Sequence, residues 1–104
     1  MAVTTWGCPV EFLVRIDIFL PSDMTEETRA KLFAAEATRA AILADEGDLI
    51  RLWRLPGRRS NWGLWQAVDA NRLHESLTSL PLWKYMDVDV VALAKHPNDP
   101  EAQD

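Results

Sequence analysis

Phe12-Leu13-Val14-Arg15-Ile16-Asp17-Ile18-Phe19-Leu20 is the stretch whose reading decides the fold. Its even positions are all apolar while Arg15 and Asp17 fall on the odd side, the period of two expected of a strand with one buried face. Pro21 and the Ser22-Asp23 pair end it. Asp23 and Glu26 stand at the spacing of a reciprocal helix cap, so a helix is predicted from there to about Glu46, with Gly47 placed to terminate it. Leu49–Leu55 and Asn61–Val68 read as two further strands joined through Pro56-Gly57-Arg58-Arg59-Ser60, a turn-forming connection. Asp69 or Asn71 can cap a second helix whose Leu73, Leu77 and Leu80 lie along one stripe. Pro81 stops that helix, and Asp87–Ala94 supplies a fourth strand. The order is βαββαβ, which predicts an α+β, ferredoxin-like subunit with both helices on one sheet face.

The other sheet face is harder to place in water. Leu13, Phe19, Leu49, Trp53 and Leu55 share odd positions with Arg15, Asp17 and Arg51, so that face is neither plainly core nor plainly solvated. A chain of 104 residues is long enough for one core only, yet 48% of it is hydrophobic and it carries five tryptophans. A homo-oligomer is therefore expected, because soluble monomers seldom leave so much apolar surface uncovered. The net charge of −5, with eleven dispersed basic residues, argues against a nucleic-acid partner. The single cysteine, Cys8, cannot close an intrachain disulfide, which suits a cytoplasmic setting. The opening residues lack a secretory pattern and no long apolar run exists, so neither export nor membrane insertion is expected. Residues 1–10 read as an N-terminal extension, 11–97 as a single domain, and 98–104 as a polar C-terminal tail.

A carboxylate stands in the wrong place for a solvated helix. On a wheel of about 100° per residue, Glu36 falls roughly 40° from Leu32, between Leu43 and Ala40. Burial there would raise its pKa and make it a usable base near neutral pH. The competing reading is an ion pair with Arg39, three residues on. Arg51, Arg54, Arg58 and Arg59 gather around the second strand and the following turn, where a guanidinium fork could hold an anionic substrate, and Asn61 begins the next strand. An exposed basic turn that balances an acidic chain is the bland alternative for Arg58 and Arg59. Tyr85 can donate to a developing oxyanion or simply pack at a contact, and His96 can anchor the tail. His74, on the short helix, reads as structural. Trp53, Trp62, Trp65 and Trp83 are most economically core or subunit contacts, with one or two available to wall an apolar pocket. Two histidines and one cysteine far apart give no metal cluster, and there is neither a phosphate loop nor a nucleophile motif.

Leu80-Pro81-Leu82-Trp83-Lys84-Tyr85-Met86-Asp87, with His96-Pro97 after it, is too particular for generic surface loop. Together with Leu20-Pro21, Asp23-Met24, Glu36, Glu46-Gly47, Leu52-Trp53-Arg54, Gly57, Asn61 and His74, it resembles the muconolactone Δ-isomerases over roughly residues 11 to 97. The resemblance implies subunits that pair their sheets as a dimeric α+β barrel and assemble further, to decamers. It implies a cofactor-independent allylic proton shift in an unsaturated lactone acid of the β-ketoadipate route. Glu36 matches the family's candidate catalytic glutamate, Arg54 the arginine of its Leu-Trp-Arg motif, and Asn61 its asparagine. Arg58 and Arg59 stand where the family typically has histidine and tyrosine, and Leu13 where it has histidine. Substrate contacts are thus expected from Arg54, Asn61, Tyr85, Arg58 and Trp53, with Glu36 as the base. A cofactor-independent oxygenase and a non-catalytic small-ligand binder are the alternatives on the same fold.

Overall fold

The computed structural model describes residues 9–101, so Cys8, most of the N-terminal extension and the last tail residues lie outside the described residues. The chain runs β1 (Val10–Ile18), α1 (Glu26–Asp45), β2 (Leu49–Arg54), β3 (Ser60–Ala67), α2 (Ala70–Thr78), a short 3-10 turn (Trp83–Tyr85) and β4 (Met86–Leu93). Its four strands form one antiparallel sheet in the order β2-β3-β1-β4. The βαββαβ expectation holds. β1 is central, and its alternation becomes burial: Phe12, Val14 and Ile16 are buried on the helix-covered face. They meet Trp65 and Ala67 of β3, Leu73 and Leu77 of α2, Leu43 of α1, and Leu80 in a single core.

The ends of the elements differ from the sequence expectation in instructive ways. The N-cap of α1 is Thr25 rather than Asp23, its hydroxyl accepting the Thr28 N–H at 3.1 Å. Either residue type caps well, so propensity could not choose between them. Asp69 caps α2, accepting the Arg72 N–H at 2.8 Å. Gly47 adopts φ 88°, the left-handed conformation that ends a helix without a Cβ clash. β1 stops at Ile18, and Phe19 is 66% exposed beyond it.

The largest departure lies in β2. Leu49 pairs with Trp65, but Arg51 pairs with Leu64 and Leu52 with Gly63, so Ile50 is an extra residue, a β-bulge. Parity changes there. Leu49 is buried on the helix side, and beyond the bulge Leu52 and Arg54 take that side, while Arg51 and Trp53 turn to the outer face. The expected odd-face set containing Leu49 with Trp53 is thus split by one residue.

Among the described residues no helix lies over the outer face. Trp53 stands opposite Trp62, Arg15 lies between Trp62 and Asp89, and Leu13 lies between Leu64 and Val91. Arg15 pairs with Asp17 at 3.1 Å, and Ser60 donates a further hydrogen bond to that carboxylate. These contacts hold the Asp17 carboxyl below its ordinary pKa, the Arg15 hydrogen bond first among them. Trp53 is 43% and Val91 49% exposed. In the tail, His96 Nδ1 accepts the Asn98 N–H at 2.9 Å, a local turn.

Candidate active site

Helix α1 does not lie flat on the sheet. Of its twenty residues only Leu43 is fully buried, and the side facing the sheet is made partly of alanine. Small side chains cannot fill the space between the layers, and a cavity of about 620 Å³ remains. Arg29, Phe33, Glu36 and Ala40 line it from α1, Ile16 and Ile18 from β1, Leu52 and Arg54 from β2, and Asn61 and Trp65 from β3. Leu82 and Met86 close one wall, and Arg58 and Arg59 reach it from the β2–β3 turn.

Glu36 is half-buried in the helix wall, and its Oε1 accepts the Leu82 N–H at 3.0 Å. Burial pushes its pKa upward, and the Leu82 N–H pulls the other way more weakly. α2 already ends at Thr78, with Ser79 as its C-cap, so the helix stops short of Pro81 where the sequence predicted the proline would end it, and the Leu82 N–H lies in the turn that follows, directed at α1. The ion pair with Arg39 does not form, since the Arg39 Nε donates to Ser79 Oγ at 2.9 Å instead. Glu36 therefore keeps a carboxylate oxygen free of any protein partner among the described residues.

Arg54 and Asn61 are directly opposed across β2 and β3, so the bulge that turns Arg54 inward also brings these two side chains together. Among the described residues Arg54, Arg58 and Arg59 form no salt bridge, although Arg58 lies near enough to Asp17 to help hold its carboxyl ionised. The turn that carries Arg58 and Arg59 is shaped by Gly57 at φ 76° and tied down by the Ile18 N–H, which donates to the Arg59 carbonyl at 2.9 Å. An acidic protein thus presents a basic rim at this one opening, the arrangement that draws an anion inward.

Two sequence-expected residues do not line the cavity. Strand alternation sends Trp53 to the outer face, where the Arg51 guanidinium sits 5.0 Å from its ring. Tyr85 is half-buried beside the Lys84 ammonium, 5.3 Å from its ring, and its carbonyl accepts the Phe19 N–H. Trp83 joins the edge of the core and meets His74 edge-on at 5.9 Å.

Arg29 is a cavity residue that the sequence reading did not single out, and Trp65, read with the other tryptophans as core or contact with one or two available to wall a pocket, is the tryptophan that lines it. Arg29 lies two turns before Glu36 on the same helix face, with its guanidinium 5.4 Å from the Phe33 ring and Nη1 on Glu26. The signal was available, because a spacing of seven returns to one side of a helix. Every buried side-chain nitrogen or oxygen without a partner among the described residues, namely Arg29 Nε, Asn61 Oδ1 and Trp65 Nε1, belongs to a cavity residue. Each such group costs about 1–3 kcal/mol if nothing ever pairs with it. Three of them around one cavity mark it as shaped for a polar ligand.

The family model for muconolactone delta-isomerase matches residues 10–99. A muconolactone Delta-isomerase of Pseudomonas aeruginosa is 37% identical over 93 residues, covering 89% of this chain and 97% of that protein. Muconolactone Delta-isomerase 2 of Acinetobacter lwoffii is 40% identical over 85 residues, covering 82% and 88%. The crystal structure of a muconolactone isomerase superposes with a TM-score of 0.82 at 34% identity, covering 90% of this chain and 98% of that one. A cofactor-independent oxygenase of Streptomyces nogalater, SnoaB, reaches a TM-score of 0.52 at 16% identity, which shows a shared fold and nothing more. With fold, sequence and site geometry in agreement, the chain belongs to the muconolactone Δ-isomerase family.

Proposed function

We propose that the protein isomerises muconolactone or a closely related unsaturated lactone acid to the enol-lactone. The observation that carries this reading is Glu36: a carboxylate with a raised pKa and one free oxygen, set in the wall of a cavity whose rim is basic. The reaction moves one proton. A base takes it from the ring carbon that bears the acetate arm, charge spreads through the conjugated ring to the carbonyl oxygen, and the proton returns two carbons away. One carboxylate can perform both transfers, so the balance requires no cofactor or second substrate.

In this reading Glu36 is the proton carrier, and its hydrogen bond from Leu82 fixes which oxygen faces the ring. Arg54 pairs with the substrate carboxylate, Arg58 adds charge at the rim, and Asn61 contacts the lactone beside Arg54. Holding the acetate arm fixes the reacting C–H against Glu36, which is where a positioned base gains its advantage over a dissolved one. Incubating the protein with muconolactone and following the enol-lactone by absorbance tests the activity. Glu36→Gln preserves shape and the Leu82 contact, and should lower turnover at least ~100-fold. Near-normal turnover in that variant refutes the assignment of Glu36.

We further infer that the working form is a homo-oligomer in which the outer sheet face packs on a second copy. The support is the row of Leu13, Trp53, Trp62, Leu64 and Val91 on a face that no helix among the described residues covers. Trp53 then acts at that contact and not on the substrate, and Tyr85 remains a candidate only if a neighbouring subunit brings it to a cavity. A cytoplasmic setting suits a chain with a single cysteine.

A further inference from the structure

Trp65 is almost wholly enclosed, at 2% exposure, yet its indole Nε1 has no hydrogen-bond partner although the residue lines the cavity. An indole N–H is a donor only, so its partner must bring an acceptor, and because the Nε1 atom is itself enclosed, that acceptor reaches it as the Leu52 side chain beside Gly63 shifts aside. Its position is set by an absence. Gly63 lies two residues earlier on the same face of β3, and a Cβ built there would sit 2.7 Å from Trp65 Nε1 and 3.2 Å from Leu52 Cδ1. A rigid ring packed in a core cannot yield that distance cheaply, so the missing side chain at Gly63 is what lets the N–H lie where it does. Asn61, the next residue on this face, presents the other orphaned polar atom of the strand.

We propose that Trp65 is a catalytic residue that donates its indole N–H to the lactone carbonyl oxygen, with Gly63 as the positioning residue that makes room for it. The assignment rests on the lactone-isomerase reading above. When Glu36 takes the ring proton, the electron pair moves through the ring to that carbonyl oxygen, and the charge returns to the ring as Glu36 delivers the proton. A fixed neutral donor in a dry site strengthens its bond as the oxygen gains charge, and needs no reorganisation to do so. Arg29 is a weaker candidate for this place, since its side chain is 38% exposed and already engaged by Glu26.

The test is Trp65→Phe, which keeps most of the apolar volume and removes the N–H. Turnover should fall ~100-fold, the usual scale for losing one oxyanion donor, with KM changed less than about threefold. The melting temperature should stay within a few degrees, because a lost unpartnered donor offsets part of the lost packing. Gly63→Ala should lower turnover in the natural background and have little further effect when combined with Trp65→Phe. As an independent readout, the indole N–H resonances are followed in a proton–nitrogen spectrum while the saturated lactone acid, which binds without reacting, is added. The resonance missing from Trp65→Phe should move downfield. Full turnover in Trp65→Phe, or a saturated lactone acid that shifts other resonances and leaves this one in place, overturns the proposal. A natural protein that neither binds the saturated acid nor converts the lactone instead overturns the isomerase reading, and the donor assignment falls with it.

Discussion

Glu36 shows how one residue's surroundings set a pH profile. Its carboxyl titrates above the ordinary value of 4.5 because burial disfavours the charge. A base must be ionised to act, so kcat/KM should rise with pH through that raised pKa, giving an acid limb displaced above the range of a free glutamate. The sign for stability is opposite. The folded state holds the proton more tightly than the unfolded one, so this group's contribution to stability declines as pH climbs from 4.5 through the raised value. Glu36→Gln should remove that decline, and thermal melts at several pH values would check it. A variant as pH-sensitive as the natural protein in this window would count against a buried Glu36. Arg54 is tested by charge. Arg54→Ala should weaken binding of the lactone acid far more than of its methyl ester, measured by titration of both, and equal losses would refute the pairing. Glu36 was legible in the sequence because a helix has a fixed period. Trp65 as a donor was not, because an indole in a core looks like packing until its N–H is seen to lack a partner.

At the scale of elements, the strands and helices were legible wherever one physical period ran unbroken. The alternation from Phe12 to Ile18 and the helical pair Leu73 and Leu77 survive into the structure as buried faces, while Leu80, expected on the same helix, is buried from the turn beyond its end. The reading failed where a single residue broke the period: parity counted across Ile50 joins Leu49 to Trp53, which the bulge separates. It also could not choose between Thr25 and Asp23 as a cap, since both offer an oxygen at a helix start. The cavity was not foreseeable from either helix or sheet alone. It exists because α1 carries alanines where a filled interface would need larger side chains, a property of two elements together.

For the molecule as a whole, the sheet has two apolar sides and one set of helices. One side holds the core and the cavity, and the other is available to a second copy. Trp53→Glu places a charge in the middle of that outer face, where burial without a partner is costly. Light scattering should show the assembly dissociating, while the monomer's own core, on the opposite side of the strand, stays folded by circular dichroism. An assembly that persists with Trp53→Glu would argue that copies meet elsewhere. The bulge at Ile50 carries a last consequence, for how genes of this kind can change length. Because Ile50 is the residue left over in the β2–β3 pairing, deleting its codon leaves Leu52 opposite Gly63 and Arg54 opposite Asn61. Deleting the codon for Trp53 instead turns Arg54 outward and takes its guanidinium out of the cavity. The first loss should be nearly silent in an activity screen and the second abolishing, so a strand that looks uniform contains one place where evolution can add or subtract a residue and three codons later cannot.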